Sequence, residues 1–163
     1  MNLIVAVDKN WGIGNEGKLL ERISEDMKYF KEKTINKTVI MGRVTFDSLP
    51  KRKPLKDRNN IVLSSKDETI DGVTLCKNIN ELFDSIKEID DDNIFVIGGE
   101  LIYEILLAWC NRAYVTKIHN EYISDKKMVN LDNSRNWKIV YESQIFENKN
   151  GVKFQFITYE KIY

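Results

Sequence analysis

Five consecutive apolar residues, Leu3-Ile4-Val5-Ala6-Val7, constrain this chain more than any other feature in it. A strand with one wet face alternates apolar with polar side chains, so an unbroken run of this length reads as a strand buried on both faces. The pattern recurs at Thr38-Val39-Ile40-Met41, Asn60-Ile61-Val62-Leu63 and Ile94-Phe95-Val96-Ile97. Helical segments fall between the runs: Ser24–Lys33, Val44–Leu49 (closed by Pro50), Asn80–Ile89 with apolar Leu82, Phe83 and Ile86, and Glu100 to Ala108. Gly72–Cys76 and Ala113–Ile118 add two more strands. Strand and helix in alternation predict an α/β fold with right-handed crossovers and a largely parallel sheet covered on both faces. The C-terminal part differs. Trp137–Phe146 and Val152–Tyr159 flank Asn150-Gly151, a strong hairpin signal, and predict an antiparallel hairpin at the sheet edge.

The first helix carries the most informative side chain. Ser24 is the expected N-cap, Glu25 and Asp26 occupy a first turn that favours acids, and Lys31 and Lys33 suit the last turn. Asp26 lies four residues before Phe30, with Met27 three before it, so a carboxylate shares a face with an apolar stripe. Such a group needs a partner, and a ligand with a protonated, amide-like edge would supply one. Against this stands the ordinary role of a first-turn acid, which complements the helix dipole at the surface, and the helix alone favours that role.

The loop before this helix reads Gly12-Ile13-Gly14-Asn15-Glu16-Gly17, a literal G-x-G-x-x-G. A dinucleotide fingerprint needs its first glycine at the strand end and its helix at once. Here Asp8-Lys9-Asn10-Trp11 intervene before Gly12, and six residues separate Gly17 from Ser24. A mobile, glycine-rich loop over a ligand accounts better for the pattern.

Four strand ends carry a second chemistry. Gly98-Gly99 joins a strand to a helix, where backbone amides and the helix N-terminus can meet an anion. Gly42-Arg43, Ser64-Ser65 and Lys77 follow three other strands, and in a parallel sheet these ends share the edge where ligands bind. Taken alone, Gly98-Gly99 reads first as a tight structural turn, and a charged loop would explain any one of the others. Together they favour a phosphorylated dinucleotide.

At 163 residues the chain reads as one domain, 1–163. Its 25 basic and 25 acidic side chains balance, so nothing points to nucleic acid. Cys76 and Cys110 have no metal-ligand spacing, His119 is the lone histidine, and no metal site or Ser-His-Asp set can be assembled. Without a long apolar run or a leader pattern, a reducing cytoplasm and no membrane are expected.

The distributed motifs resemble the bacterial dihydrofolate reductases over essentially the whole length. The resemblance rests on Leu3–Val7, Gly14-Asn15, Asp26 through Phe30, Val39-Ile40-Met41-Gly42-Arg43 with Thr45, Leu55 and Arg58, and Ile61 through Ser65. Val96-Ile97-Gly98-Gly99 with Tyr103, then Thr116 and Trp137, complete it. It implies a central eight-stranded mixed, mostly parallel sheet with four helices. It also implies an NADPH-dependent, monomeric enzyme that converts 7,8-dihydrofolate to 5,6,7,8-tetrahydrofolate for one-carbon metabolism and binds antifolate inhibitors.

By that resemblance Asp26, supported by Thr116, holds the pterin N3 and 2-amino group and favours protonation at N5. Val5, Ala6, Met27, Phe30, Leu49, Leu55, Ile97 and Tyr103 belong to the substrate cleft, where Arg58 takes the glutamate tail and Lys31 and Arg52 complete the set. The cofactor set comprises Ala6, Val7, Gly12, Ile13, Gly14, Asn15, Glu16, Gly17, Lys18 and Leu19. It continues through Gly42, Arg43, Val44, Thr45, Leu63, Ser64, Ser65, Lys77 and Ile97. Gly98, Gly99, Glu100, Leu101, Ile102, Tyr103 and Ile105 close it. Arg43, Ser65 and Lys77 are the expected readers of the 2′-phosphate.

Two departures mark this chain. Glu21 and Ser24 stand where the family has Trp and Pro, and Lys126-Lys127-Met128 replace an aromatic-Pro pair, while Asp125 keeps the family's loop-steadying acid. Glu21 is expected to turn to water beside Lys18 and Arg22, because a second carboxylate beside Asp26 would be repelled. Two rivals remain at this level: a pyrimidine-intermediate reductase of flavin biosynthesis, which the combination of Asp26, Phe30 and Arg58 disfavours, and a catalytically silent nucleotide- or folate-binding module.

Overall fold

Leu3 and Val7 are fully buried in the computed structural model, which describes residues 1–163. Their strand β1 (Asn2–Val7) is followed by β2 (Gly12–Gly14), α1 (Ser24–Thr34), β3 (Thr38–Gly42), α2 (Arg43–Ser48), β4 (Asn59–Leu63) and β5 (Thr74–Cys76). Next come α3 (Ile79–Ile86), β6 (Ile94–Gly98), α4 (Glu100–Leu106), β7 (Arg112–Ile118) and β8 (Lys126–Lys127). The chain ends with β9 (Trp137–Glu142), β10 (Phe146–Glu147) and β11 (Lys153–Lys161).

The main sheet runs β10-β11-β7-β1-β6-β3-β4-β5, with β9 also paired to β11. Every pairing from β7 across to β5 is parallel, and the β11 pairings are antiparallel. Phe154 pairs with Ile118 on one side and Phe146 on the other, while Ile157 pairs with Val115 and Glu142. Strands β9 and β10 are therefore successive pieces of one interrupted strand, and the sheet has the expected eight positions.

Burial on both faces explains the continuous apolar runs. Leu3, Val5 and Val7 enter one cluster with Val96, Ile102, Leu106 and Val115. Ile4, between them in sequence, enters another with Val39, Met41, Phe46 and Phe95. Strand alternation sends neighbours to opposite faces, so each face gets its own core.

Several boundaries differ from the sequence expectation, each for a local reason. Ser24 does not cap α1: the cap position is Ile23, with no side-chain cap bond. Ile23 is 2% exposed and packs with Ile118 and Phe154, so burial rather than a hydroxyl sets the helix entry. Helix α3 starts at Ile79 instead of Asn80, because the Asn78 side chain accepts from the Glu81 amide at 2.9 Å. Arg43 already belongs to α2, and Pro50 opens a short 3-10 turn, Pro50–Arg52, where only a stop was expected.

The hairpin loop turns on Asn148, whose side chain accepts from the amides of Asn150 and Val152, each at 2.9 Å. Strand β11 itself lies inside the sheet, and the β9–β10 arm forms the edge. The pair β2–β8 was not legible as strands. It joins Gly12 and Gly14 to Lys127 and Lys126. A Cβ on Gly12 would come within 2.5 Å of Ser124 Oγ, so this close approach requires glycine.

Candidate active site

Thr116 sits on β7 with Ala6 of β1 on one side and Phe156 of β11 on the other. Helix α1, anchored at Ile23, brings its first turn over this spot. The Thr116 hydroxyl donates to Asp26 Oδ1 at 2.6 Å, 90 residues away in sequence. Burial holds the Asp26 carboxyl above the ordinary carboxylate range, and the Thr116 bond pulls part of the way back. Thr116 is itself buried and Asp26 half-buried. The supporting contact from Thr116 is thus present, and the bond uses only Oδ1.

Around this pair the fold gathers four of the predicted wall residues. Phe30, Leu49, Leu55 and Ile97 are half-buried and pack on the Ile4–Met41–Phe46 cluster. Ala6 is half-buried beside Ile23. Met27, in contrast, is 43% exposed, so it does not extend the apolar stripe into the core. Val5 enters the cluster on the far face of β1, opposite the Ala6 and Thr116 side, so at this site it offers its backbone and not a wall. Tyr103 is buried, with its hydroxyl committed to the Ile4 carbonyl at 2.7 Å.

Arg58 is set against the end of α1. Its Nε donates to Thr34 Oγ1 at 3.2 Å, Nη1 donates to the Lys56 carbonyl at 2.8 Å, and the guanidinium lies 5.9 Å from the Phe30 ring centroid. The loop that presents it is held by Asn60, which sequence reasoning registered only as a strand residue. Asn60 is 3% exposed; its side chain accepts from the Leu55 amide at 2.9 Å and donates to the Leu55 and Arg58 carbonyls at 2.9 and 3.1 Å. A polar residue opening an apolar strand was the available signal. Lys31 is exposed, and Arg52 pairs with Asp47 at 2.8 Å.

The strand ends line up as the sequence predicts. Met41 pairs with Gly98, Gly42 with Leu63, and Leu63 with Cys76. Gly99, Arg43, Ser64 and Lys77 therefore follow one another along a single edge of the sheet. Gly98 has φ +118°, open only to glycine, and the Gly98–Gly99 peptide is cis. Tyr103 N donates to the Gly99 carbonyl at 2.9 Å as α4 begins. Val44 and Leu101, just past Arg43 and Gly99, stay 75% and 64% exposed. Thr45, Leu63, Ser64, Glu100 and Ile105 are half-buried, Ser65 is exposed, and Ile102 of α4 is buried against Gly42 of β3. Backbone access, exposed apolar side chains and two cations along one edge suit a flat, phosphorylated dinucleotide, so the residues present fit that group.

Neither cation is unpaired. Arg43 Nε meets Asp47 Oδ1 at 2.9 Å, and Lys77 Nζ meets Asp67 Oδ1 at 2.9 Å. Charge spacing in the sequence flagged the cations and missed these acids.

Hydrogen bonds hold the loop over the cleft at its base and near its tip. Asp8 is 2% exposed; its Oδ1 accepts from the amides of Asn10 and Gly12 at 2.9 and 2.8 Å, and its Oδ2 from Tyr122 at 3.0 Å. Asp125 Oδ2 accepts from the Glu16 amide at 3.0 Å. Asn15 and Lys18 exchange two backbone bonds of 3.0 Å around the exposed tip at Glu16 and Gly17, Leu19 is 68% exposed, and Ile13 packs on the core. Glu21 is held by neither Lys18 nor Arg22. It is half-buried and accepts from the Tyr122 hydroxyl. His119 Nε2 lies 2.8 Å from Gln155 Oε1, a structural contact.

Comparison with known proteins gives one consistent answer. The family model described as dihydrofolate reductase matches residues 1–161. A dihydrofolate reductase of Bacillus subtilis (strain 168) is 36% identical over 163 residues, covering 99% of this chain and 94% of that protein. One from Drosophila melanogaster is 36% identical, covering 98% and 97%. In three dimensions the chain superposes on the dihydrofolate reductase from Enterococcus faecalis, solved with NADP(H) and an inhibitor named RAB-propyl. The TM-score is 0.88 and the identity 31%, with 99% of this chain and 96% of that one covered. Sequence, topology and the row of strand ends agree, and the chain belongs to the dihydrofolate reductase family.

Proposed function

We propose that Asp26, with Thr116, is the polar centre at which this NADPH-dependent dihydrofolate reductase converts 7,8-dihydrofolate to 5,6,7,8-tetrahydrofolate. The 2.6 Å bond between a buried threonine and a carboxyl group raised by burial carries the reading. A surface acid serving only the helix dipole would have neither. Asp26 holds the pterin's N3 and 2-amino group, and Thr116 fixes the carboxyl orientation. The charge of Asp26, acting in a cleft drier than water, favours the proton at N5. Phe30, Leu49, Leu55 and Ile97 exclude water from the ring, and Arg58 takes the carboxylate of the glutamate tail. The nicotinamide, when bound along the Gly98–Gly99 edge, supplies the hydride for C6. Arg43, Ser65 and Lys77 hold the adenosine 2′-phosphate.

The reading takes residues 1–163 as one domain acting as a monomer in the cytoplasm; no helix is long and apolar enough to cross a membrane. Following loss of nicotinamide absorbance with protein, NADPH and dihydrofolate tests it. Turnover that fails in Asp26→Asn while NADPH still binds supports the assignment, and unchanged turnover in that variant refutes it. Absence of turnover in the parent would return the silent binding module.

A further inference from the structure

We propose that Lys51, Lys53 and Lys56 form a positive rim at the mouth of the cleft, which draws in the carboxylates of the substrate tail and sets how fast dihydrofolate is captured. The inference rests on Arg58 taking the tail carboxylate. Between Leu49 and Asn59 the chain carries five cations, Lys51, Arg52, Lys53, Lys56 and Arg58, against one acid, Asp57. The whole chain has 25 of each sign, so the rest of it is acidic on balance. Lys51, Lys53 and Lys56 are exposed, and of the five cations only Arg52 meets a carboxylate, that of Asp47. Positive charge is concentrated here and left uncompensated.

The fold fixes this loop against the cleft. Leu49 and Leu55, on either side of Lys51 and Lys53, are half-buried and pack on the cluster of Ile4, Met41 and Phe46. Between them, Arg52 N donates to the Leu49 carbonyl at 2.9 Å and Lys53 N to that of Pro50 at 3.2 Å. The Lys56 carbonyl accepts from Arg58 Nη1 at 2.8 Å, so Lys56 adjoins the anchor of the tail. On α1, exposed Lys31 follows the wall residue Phe30, whose ring lies 5.9 Å from the Arg58 guanidinium. Lys51 stands at φ +57°, a conformation that glycine adopts freely and lysine does not. Backbone preference favours glycine there, so what the lysine brings is its charge. Exposed lysines hold a ligand weakly, because water and salt screen each contact. Their summed field still reaches about 30 Å at 0.01 M salt and about 10 Å at 0.1 M. The rim therefore acts on encounter and not on residence.

Stopped-flow fluorescence tests this, with NADP+ in place of NADPH so that no turnover follows. It gives association and dissociation rates for dihydrofolate and for a 6-methyl dihydropterin, which has no tail. The triple variant Lys51→Gln, Lys53→Gln, Lys56→Gln should slow dihydrofolate association about threefold to tenfold at about 0.01 M salt, with dissociation changed less than about twofold. The gap should close near 1 M salt, where the field reaches only about 3 Å. Association of the tailless dihydropterin should not change. A second triple variant, Lys87→Gln, Lys138→Gln, Lys149→Gln, removes as many exposed lysines from segments that supply no cleft wall, and should slow dihydrofolate less. The proposal is overturned if the first variant leaves association unchanged, if its effect ignores salt, if the tailless ligand slows equally, or if the second variant matches it. Arg58→Ala separates the two levels. Faster dissociation in Arg58→Ala beside unchanged association in the first variant sinks the rim alone, whereas an Arg58→Ala with unaltered dihydrofolate rates sinks the tail reading beneath it as well.

Discussion

Tyr122 Oη donates to Glu21 Oε2 at 2.9 Å, tying the segment just before α1 to the segment just after β7. Burial, and then the Glu21 contact, keep the Tyr122 hydroxyl above its ordinary value, so it stays a donor across the neutral range. Glu21 therefore has a partner that leaves it clear of proton delivery. Glu21→Gln keeps an acceptor oxygen and should hold turnover within about twofold, under 0.5 kcal/mol in the barrier, with an unshifted pH profile. Steady-state kinetics across pH check this. A large loss with a displaced optimum would make Glu21 a proton carrier.

Asp26→Asn keeps the shape and removes the charge. Its turnover at neutral pH should fall by on the order of a hundredfold or more, while NADPH affinity stays close to the parent's. Single-turnover absorbance separates the hydride step from binding.

The same substitution should stabilise the fold at neutral pH. Burial raises the folded-state pKa of Asp26, so the native protein binds more protons than the unfolded chain between the unfolded value, about 3.9, and the folded one. Stability is lost as pH rises through that window, and the cost is fully present above it. Scanning calorimetry should give a higher Tm for Asp26→Asn than for the parent at pH near 7, and a gap that closes below about pH 4. A gap independent of pH would contradict the sign.

Asp8 anchors the loop through three backbone amides. Asp8→Ala strands these donors and should cost about 2–4 kcal/mol, read from urea unfolding. An effect within experimental error would show that water replaces the carboxylate freely.

Asn60→Ala releases the Leu55–Arg58 loop. The cost in stability should be about 1–3 kcal/mol. Because Arg58 then loses its fixed position, KM for dihydrofolate should rise several-fold with kcat nearly unchanged. Equal losses in kcat and kcat/KM would instead place Asn60 in the reaction step.

Sequence by itself determined the sheet. Unbroken apolar runs can only be satisfied by strands covered on both faces, and glycine, arginine, serine and lysine at their ends mark the ligand edge whatever the loops do. Asp26 and Phe30 were also legible, because helical spacing is local. The tertiary structure decided what each of these charges meets. Thr116 reaches Asp26 from 90 residues away, Tyr122 reaches Glu21, and Asp67 reaches Lys77. None of these pairings has a period or a spacing. The same is true of Val5, where strand alternation relative to Thr116 turns an apparent wall residue to the far face, and of Ile23, whose burial overrides a hydroxyl cap at Ser24. Local preference amounts to tenths of a kcal/mol up to about 1 kcal/mol per residue, and burying a large apolar side chain contributes about 1.5–3 kcal/mol. Where the two compete, packing sets the outcome, and packing is known only once the chain has folded.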